Sequence, residues 1–67
     1  MEEVFFLVTE SEDGGYEAKG IGVSIFTEAE TVEQLREAVR DAVHCHFDDE
    51  NKRLVRLHFV KDEVFGA

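Results

Sequence analysis

The apolar segment at residues 4–8 is the feature of this sequence that most constrains its fold. Side chains alternate between the two faces of a strand, so Phe6 and its flanking valines share one face, and Phe5 and Leu7 share the other. A strand that is apolar on both faces is typically central in its sheet and covered on both sides. We therefore expect a sheet built around this segment, with something packed on each face.

Turn signals divide the chain into four strands and one helix. Residues 11–15 contain an Asp-Gly pair, which is a strong hairpin signal. Residues 20–22 hold two glycines, each able to supply a positive φ at a second bend. Runs rich in β-branched and aromatic residues outside these turns predict strands at residues 4–10, 16–19, 23–29 and 54–61.

The period of the apolar residues changes at Thr31. Thr31 and Gln34 have the spacing of a capping box, in which each side chain accepts a hydrogen bond from a backbone N–H of the other residue. The residues that follow at helical spacing are Val32, Leu35, Val39, Ala42, Val43 and Phe47. One amphipathic helix of about four turns is predicted, ending in a polar turn at residues 48–51.

The order of elements indicates an α+β fold, β-β-β-α-β, in a single domain spanning residues 1–67. The helix would make a right-handed crossover that places the fourth strand parallel to the first. This gives a four-stranded mixed sheet in the order 3-2-1-4 with one helix on one face. Val55, Leu57 and Phe59 alternate cleanly, so we expect that row to lie under the helix.

The charge balance bears on the class of partner. The chain has 16 Asp and Glu against 7 Lys and Arg, a formal charge of −9. Nucleic-acid binding depends on basic side chains, so no direct DNA binding is expected. Either the charge favours a basic protein partner or it only maintains solubility. The single cysteine and the absence of a long apolar segment predict a cytoplasmic protein without a membrane span.

Ligand-type side chains cluster at His44, Cys45 and His46. Neighbouring residues on a helix point about 100° apart, so the two histidines diverge and cannot share a metal. We expect a half-buried histidine and an inert thiol there. The acidic run at residues 48–50 lacks the alternating ligands and the glycine of a calcium loop. We therefore expect no cofactor, no metal site and no enzymatic activity.

One family resemblance rests on two motifs and their spacing. Residues 13–18 read D-G-G-Y-E-A, and after a short glycine-containing loop residues 27–35 read T-E-A-E-T-V-E-Q-L into the helix. This arrangement resembles the HicB-like antitoxins over residues 4–47, and more loosely over the last strand. It departs from the family pattern at residues 20–23, where members usually have a loop with Pro and Cys.

The resemblance implies a partial ribonuclease-H-like fold without the catalytic carboxylates. It also implies binding and neutralisation of a small basic HicA-like toxin, an mRNA-cleaving ribonuclease, and self-association into dimers or tetramers. Many members carry a C-terminal DNA-binding module, and no such module is expected here. Two alternatives stay open: an orphan non-catalytic interaction domain, and a small ribonuclease-H-like nuclease that uses Glu10 and Asp13.

The second face of the first strand supplies the candidate site. We expect a contact between chains on the sheet face away from the helix, where the partner is either the toxin or a second copy. The residues assigned to this interface are Phe5, Leu7, Arg56, His58 and Val60.

Overall fold

The computed structural model describes residues 2–61 and 65–67. Four strands and one helix follow one another in the predicted order. The elements are β1 (Glu2–Glu10), β2 (Tyr16–Ile21), β3 (Phe26–Ala29), α1 (Val32–Phe47) and β4 (Arg53–Val60). In this part of the chain, no helix has the length and apolar character that a membrane crossing requires.

The sheet has the order β3-β2-β1-β4, which confirms the prediction. β1 is central, antiparallel to β2 and parallel to β4. Its register places Phe6 beside Gly20 and Leu57 on the helix side, and Phe5 beside Ile21 and Arg56 on the other side. β1 is therefore central, as its two apolar faces predicted, but only its helix side is covered, and Phe5 on the other side is 43% exposed.

The bend between β2 and β3 differs from the prediction. β3 begins at Phe26 rather than at residue 23, because the Gly20 N–H donates to the Ile25 carbonyl at 2.8 Å and closes a loop. Of the two glycines in this bend, only Gly22 has a positive φ, of 80°. Gly20 is needed for a different reason, since a Cβ there would lie 2.6 Å from Val23 Cγ2 and 2.9 Å from the Val23 carbonyl oxygen.

The ends of α1 are fixed by local hydrogen bonds. Thr31 is extended (φ −127°), and its hydroxyl accepts from the Gln34 N–H at 3.1 Å, as the capping box predicts. The reciprocal bond, in which the Gln34 side-chain oxygen would accept from the Thr31 N–H, is not formed within residues 2–61. At the other end Asp48 is left-handed (φ 46°) and donates its N–H to the His44 carbonyl.

The core lies between α1 and the side of the sheet formed by β1 and β2. Leu35 and Val39 point down from the helix onto Phe6 and Val8, and all four are essentially buried. Burying a side chain of this size stabilises a fold by roughly 1.5–3 kcal/mol. The buried residues together are Val4, Phe6, Val8, Ala18, Ile25, Leu35, Val39 and Val43.

The apolar row of β4 was predicted to lie under the helix, and the helix covers only part of it. The prediction was right about the face of the sheet and wrong about complete burial. Val55, Leu57 and Phe59 pair with the buried side of β1 and so face the helix side. Leu57 packs against the core, but Val55 is 39% exposed and Phe59 is 51% exposed. The helix lies closest to β3 and β2, because the two-residue connection from β3 anchors its start there.

Candidate interaction surface

The structure places all five predicted interface residues on the sheet face away from α1. The parallel register sets Phe5 beside Arg56, Leu7 beside His58, and Thr9 beside Val60. Directly paired residues share a face, so these side chains form two adjacent rows. We call the whole surface the open face; its apolar and basic members are Phe5, Leu7, Lys19, Ile21, Phe26, Leu54, Arg56, His58 and Val60.

Three apolar residues of the open face lie outside the predicted interface. Ile21, Phe26 and Leu54 are 55%, 61% and 52% exposed, more than Phe5 at 43%. Ile21 pairs with Phe5, and Phe26 pairs with Lys19, so both belong to the open face. Ile21 lies two residues after Lys19, so extending the second strand to residue 21 would have placed both side chains on the same face. The apolar area exposed on the open face is thus wider than the five predicted interface residues.

Arg56 ties the centre of the open face to β1. Its Nη2 donates to Glu3 Oε1 at 2.9 Å, and its guanidinium carbon lies 5.7 Å from the Phe5 ring centroid. Arg56 remains 61% exposed, and exposed ion pairs stabilise folds by well under about 1 kcal/mol. The arginine therefore adds more to the chemistry of the surface than to folding, since it offers donors beside an aromatic ring.

A second apolar surface follows from the partial cover of β4. A groove of about 980 Å³ runs between the second half of α1 and β4. Val43 and Phe47 line its helix side, while Val55, Leu57 and Phe59 line its strand side. We call this the β4 groove. The domain therefore exposes apolar side chains on both faces of β4.

Arg53 closes one end of the β4 groove. Its two terminal nitrogens donate to the two Asp49 carboxylate oxygens at 2.8 Å each, and its Nε donates to Glu2 Oε2 at 3.1 Å. The guanidinium also lies 3.9 Å from the Phe47 ring centroid. Its hydrogen bond with Asp49 raises the pKa of Arg53, and the same bond lowers the pKa of Asp49 below 3.8. Asp49, in the acidic run at residues 48–50, therefore forms an ion pair with Arg53.

Carboxylates collect at the opposite end of the molecule. The β1–β2 hairpin, the end of β3 and the start of α1 meet there around a shallow depression of about 710 Å³. The hairpin is closed by bonds between Ser11 and Gly15 and between Gly14 and Ser11, with Gly14 at φ 95°. The acidic residues on these elements are Glu10, Glu12, Asp13, Glu17, Glu28, Glu30 and Glu33.

The His44–His46 segment forms no site in the structure. Both histidines and Cys45 are exposed, so the expectation of a half-buried histidine was wrong. His46 contacts Phe47 edge to face with ring centroids 4.9 Å apart, a contact that needs no burial of the imidazole. Among residues 2–61 and 65–67, no group of three or more His, Cys, Asp or Glu side chains converges on a possible metal position.

Comparison with known proteins gives two close relatives. A UPF0150 protein of Thermotoga maritima is 49% identical over 65 residues, which cover 97% of this chain and 93% of the relative. A UPF0150 protein of Archaeoglobus fulgidus is 54% identical over 46 residues, 69% of this chain and 68% of that relative. No family model matches the chain. No solved structure matches it either.

Proposed function

This chain belongs to the UPF0150 family, and we propose that it acts as a HicB-like antitoxin domain without enzymatic activity. In this proposal it binds and neutralises a small basic HicA-like mRNA-cleaving toxin by protein–protein contact. The family name itself assigns no activity. The proposal therefore depends on the surface of the domain and on the motifs in the hairpin and at the helix start.

The open face is the observation that carries the proposal. It exposes two phenylalanines and two large aliphatic side chains, each more than 40% accessible, on one face of the sheet. Aromatic and arginine side chains dominate the binding energy of protein interfaces, and Phe5 lies beside Arg56 here. Contiguous exposed apolar area on a small domain is typical of a surface that binds another protein.

The acidic end supports a basic partner. Seven carboxylates surround the β1–β2 hairpin and the helix start, next to the edge of the open face at Glu28 and Glu17. A basic protein approaching this domain would be attracted over a Debye length of about 8 Å at physiological salt. Complementary charge speeds association, while the apolar centre holds the complex.

The proposal is tested by co-expression with a small basic protein encoded beside this chain's gene. The tag is placed on the basic protein, and retention of this chain together with loss of RNA cleavage is measured. Phe5→Asp should weaken the complex about 30-fold or more, the effect of removing a hot-spot residue worth about 2 kcal/mol.

Phe65→Asp is the matched control, because it makes the same chemical change at a site that is 77% exposed and outside the sheet. It should leave binding unchanged. Co-purification that survives Phe5→Asp would move the contact away from the open face. Absence of any complex with the basic neighbour would overturn the antitoxin assignment in favour of an orphan interaction domain.

A further inference from the structure

The two edges of the sheet differ in a way that bears on self-association. Among the described residues, β4 pairs with β1 on one side only, and β3 pairs with β2 on one side only. An unpaired edge presents backbone donors and acceptors that can accept another strand. Natural proteins protect such edges with short strands or charged side chains.

The β3 edge has this protection. It is four residues long, contains Glu28 and is followed by Glu30. In a chain with a net charge of −9, pairing two copies along β3 would bring like carboxylates together.

The β4 edge lacks it. β4 is eight residues long and contains no Asp, Glu, Lys or Pro. Its two arginines already have carboxylate partners in the same chain, Arg53 with Asp49 and Arg56 with Glu3. β4 is therefore a nearly neutral edge on an acidic molecule, and two copies can approach there with little repulsion. The exposed side chains Val55 and Phe59 lie beside this edge.

We propose that a second copy of this chain pairs antiparallel along β4, in a register centred on Leu57. The two sheets then join into one of eight strands, with both helices on the same side and the two open faces continuous. This inference is independent of the proposed toxin, because it concerns the purified chain alone.

Side-chain pairing selects the register. Directly opposed residues of an antiparallel pair point to the same face of the sheet. For both helices to lie on one side, odd-numbered residues of one copy must therefore lie opposite odd-numbered residues of the other, and even opposite even. Centring on Leu57 sets Val55 of each copy against Phe59 of the other, and Leu54 against Val60. Arg56 then lies opposite His58. At each end Arg53 meets Lys61, where Asp49 and Glu2 already balance the arginine.

The neighbouring registers are worse. Centring on Arg56 places the two Arg56 side chains directly opposite each other, and like charges in that position are destabilising. Centring on His58 places Lys61 of one copy over Val55 of the other, so a lysine replaces an apolar contact at each end. The register centred on Leu57 is the one that pairs the exposed apolar residues of β4 with one another.

An edge contact of this length belongs to the class of small interfaces, below about 1,200 Å² in total. We therefore expect a dimer that dissociates in the micromolar range. Sedimentation of the purified chain over a concentration series should show this monomer–dimer equilibrium. Hydrogen exchange should show amide protection in β4 that increases with concentration, while protection in β3 stays constant.

A charge-exchange set of variants tests the register. Val55→Lys and Phe59→Glu should each weaken dimerisation by about tenfold or more. The double variant should recover most of that loss, because each introduced ammonium group would face an introduced carboxylate of the other copy. Within one chain the two positions are four residues apart on a strand, about 13 Å, so they cannot form the same pair.

Matched controls make the same changes at other exposed strand positions. Ile21→Lys on β2 and Phe26→Glu on β3 should leave the dimer unchanged. A chain that stays monomeric through the upper micromolar range would overturn the proposal. So would a dimer dispersed by Phe26→Glu, or by Phe5→Asp with Leu7→Asp, because these results would place the contact on the β3 edge or on the open face. A double variant no better than the single variants would overturn the register.

Discussion

Arg53 concentrates more interactions than any other side chain described in the structure. It holds the turn after α1 through Asp49, the start of β1 through Glu2, and the last helical residue through the Phe47 ring. Its side chain is only 8% exposed, whereas the Asp49 side chain is 36% exposed and the Glu2 side chain 72%. Arg53 therefore joins β4 to the start of β1 and to the end of α1 at the edge of the hydrophobic core.

Asp49→Asn tests this role through its pH dependence. The pKa of Asp49 is lowered by its hydrogen bond to Arg53, so the stabilisation is present above pH 3.8 and is lost as pH falls through the lowered value. The variant should unfold at lower urea concentration than the parent chain at pH 7. The gap between their unfolding midpoints should narrow as the pH is reduced towards 3.

Glu37→Gln is the comparison for that experiment. It breaks an exposed helix ion pair, Glu37 with Arg40 at 2.9 Å, where both side chains are more than half exposed. The loss of stability at pH 7 should be smaller than for Asp49→Asn. Equal losses of stability for the two variants would show that the ion pair of Arg53 with Asp49 contributes no more than an exposed surface pair.

At the scale of elements, α1 is held in place by its start and by one apolar stripe. The two-residue link from β3 and the Thr31 cap set where the helix begins, and Leu35, Val39 and Val43 set which face is buried. A helix with side chains is about 10–12 Å across, whereas four strands at about 4.8 Å spacing span about 14 Å between the outer strands. One strand must remain uncovered, and because the helix starts beside β3, that strand is β4.

Thr31→Ala tests the contribution of the cap. The variant loses the hydrogen bond from the Gln34 N–H, so the free energy of unfolding should fall by about 1 kcal/mol. Urea unfolding followed by circular dichroism measures the change. Ser24→Ala, at an exposed loop position outside the helix, should shift the midpoint much less; a similar shift would argue against a capping role.

At the scale of the whole molecule, charge is unevenly distributed. The hairpin and helix start carry seven carboxylates, while β4 carries none. The acidic end suits a basic protein partner, and the neutral edge suits a second copy. The two proposed contacts therefore depend on opposite electrostatic terms.

Added salt should separate the two contacts. It screens repulsion between two chains of charge −9, so the homodimer should tighten a few-fold between low and physiological ionic strength. It also screens attraction to a basic partner, which should bind more slowly and more weakly. Sedimentation of the chain alone and titration with the basic protein measure the two responses. If salt changed the affinity of the homodimer and the affinity for the basic protein in the same direction, the two contacts would not differ in their electrostatics as proposed.

Much of the fold could be predicted because local patterns had one consistent solution. The two apolar faces of β1 required a central strand, and the right-handed crossover then fixed β4 beside it. The Thr31 cap was readable from spacing alone. The start of β3 was not, since it depends on the loop closed by the hydrogen bond from the Gly20 N–H to the Ile25 carbonyl, which no periodicity encodes.

The order of the elements, the sheet topology and the charge of the surface could be predicted from the amino-acid sequence, because these follow from periodicity, handedness and composition. Which apolar side chains remain exposed depends on how the helix packs on the sheet. Val55 and Phe59 have the same alternation as the buried residues of β1, and they stay accessible because the helix lies over the other side of the sheet. Alternation specifies which face of the sheet a side chain occupies. Whether that side chain is buried depends on the position of α1, which is too narrow to cover all four strands.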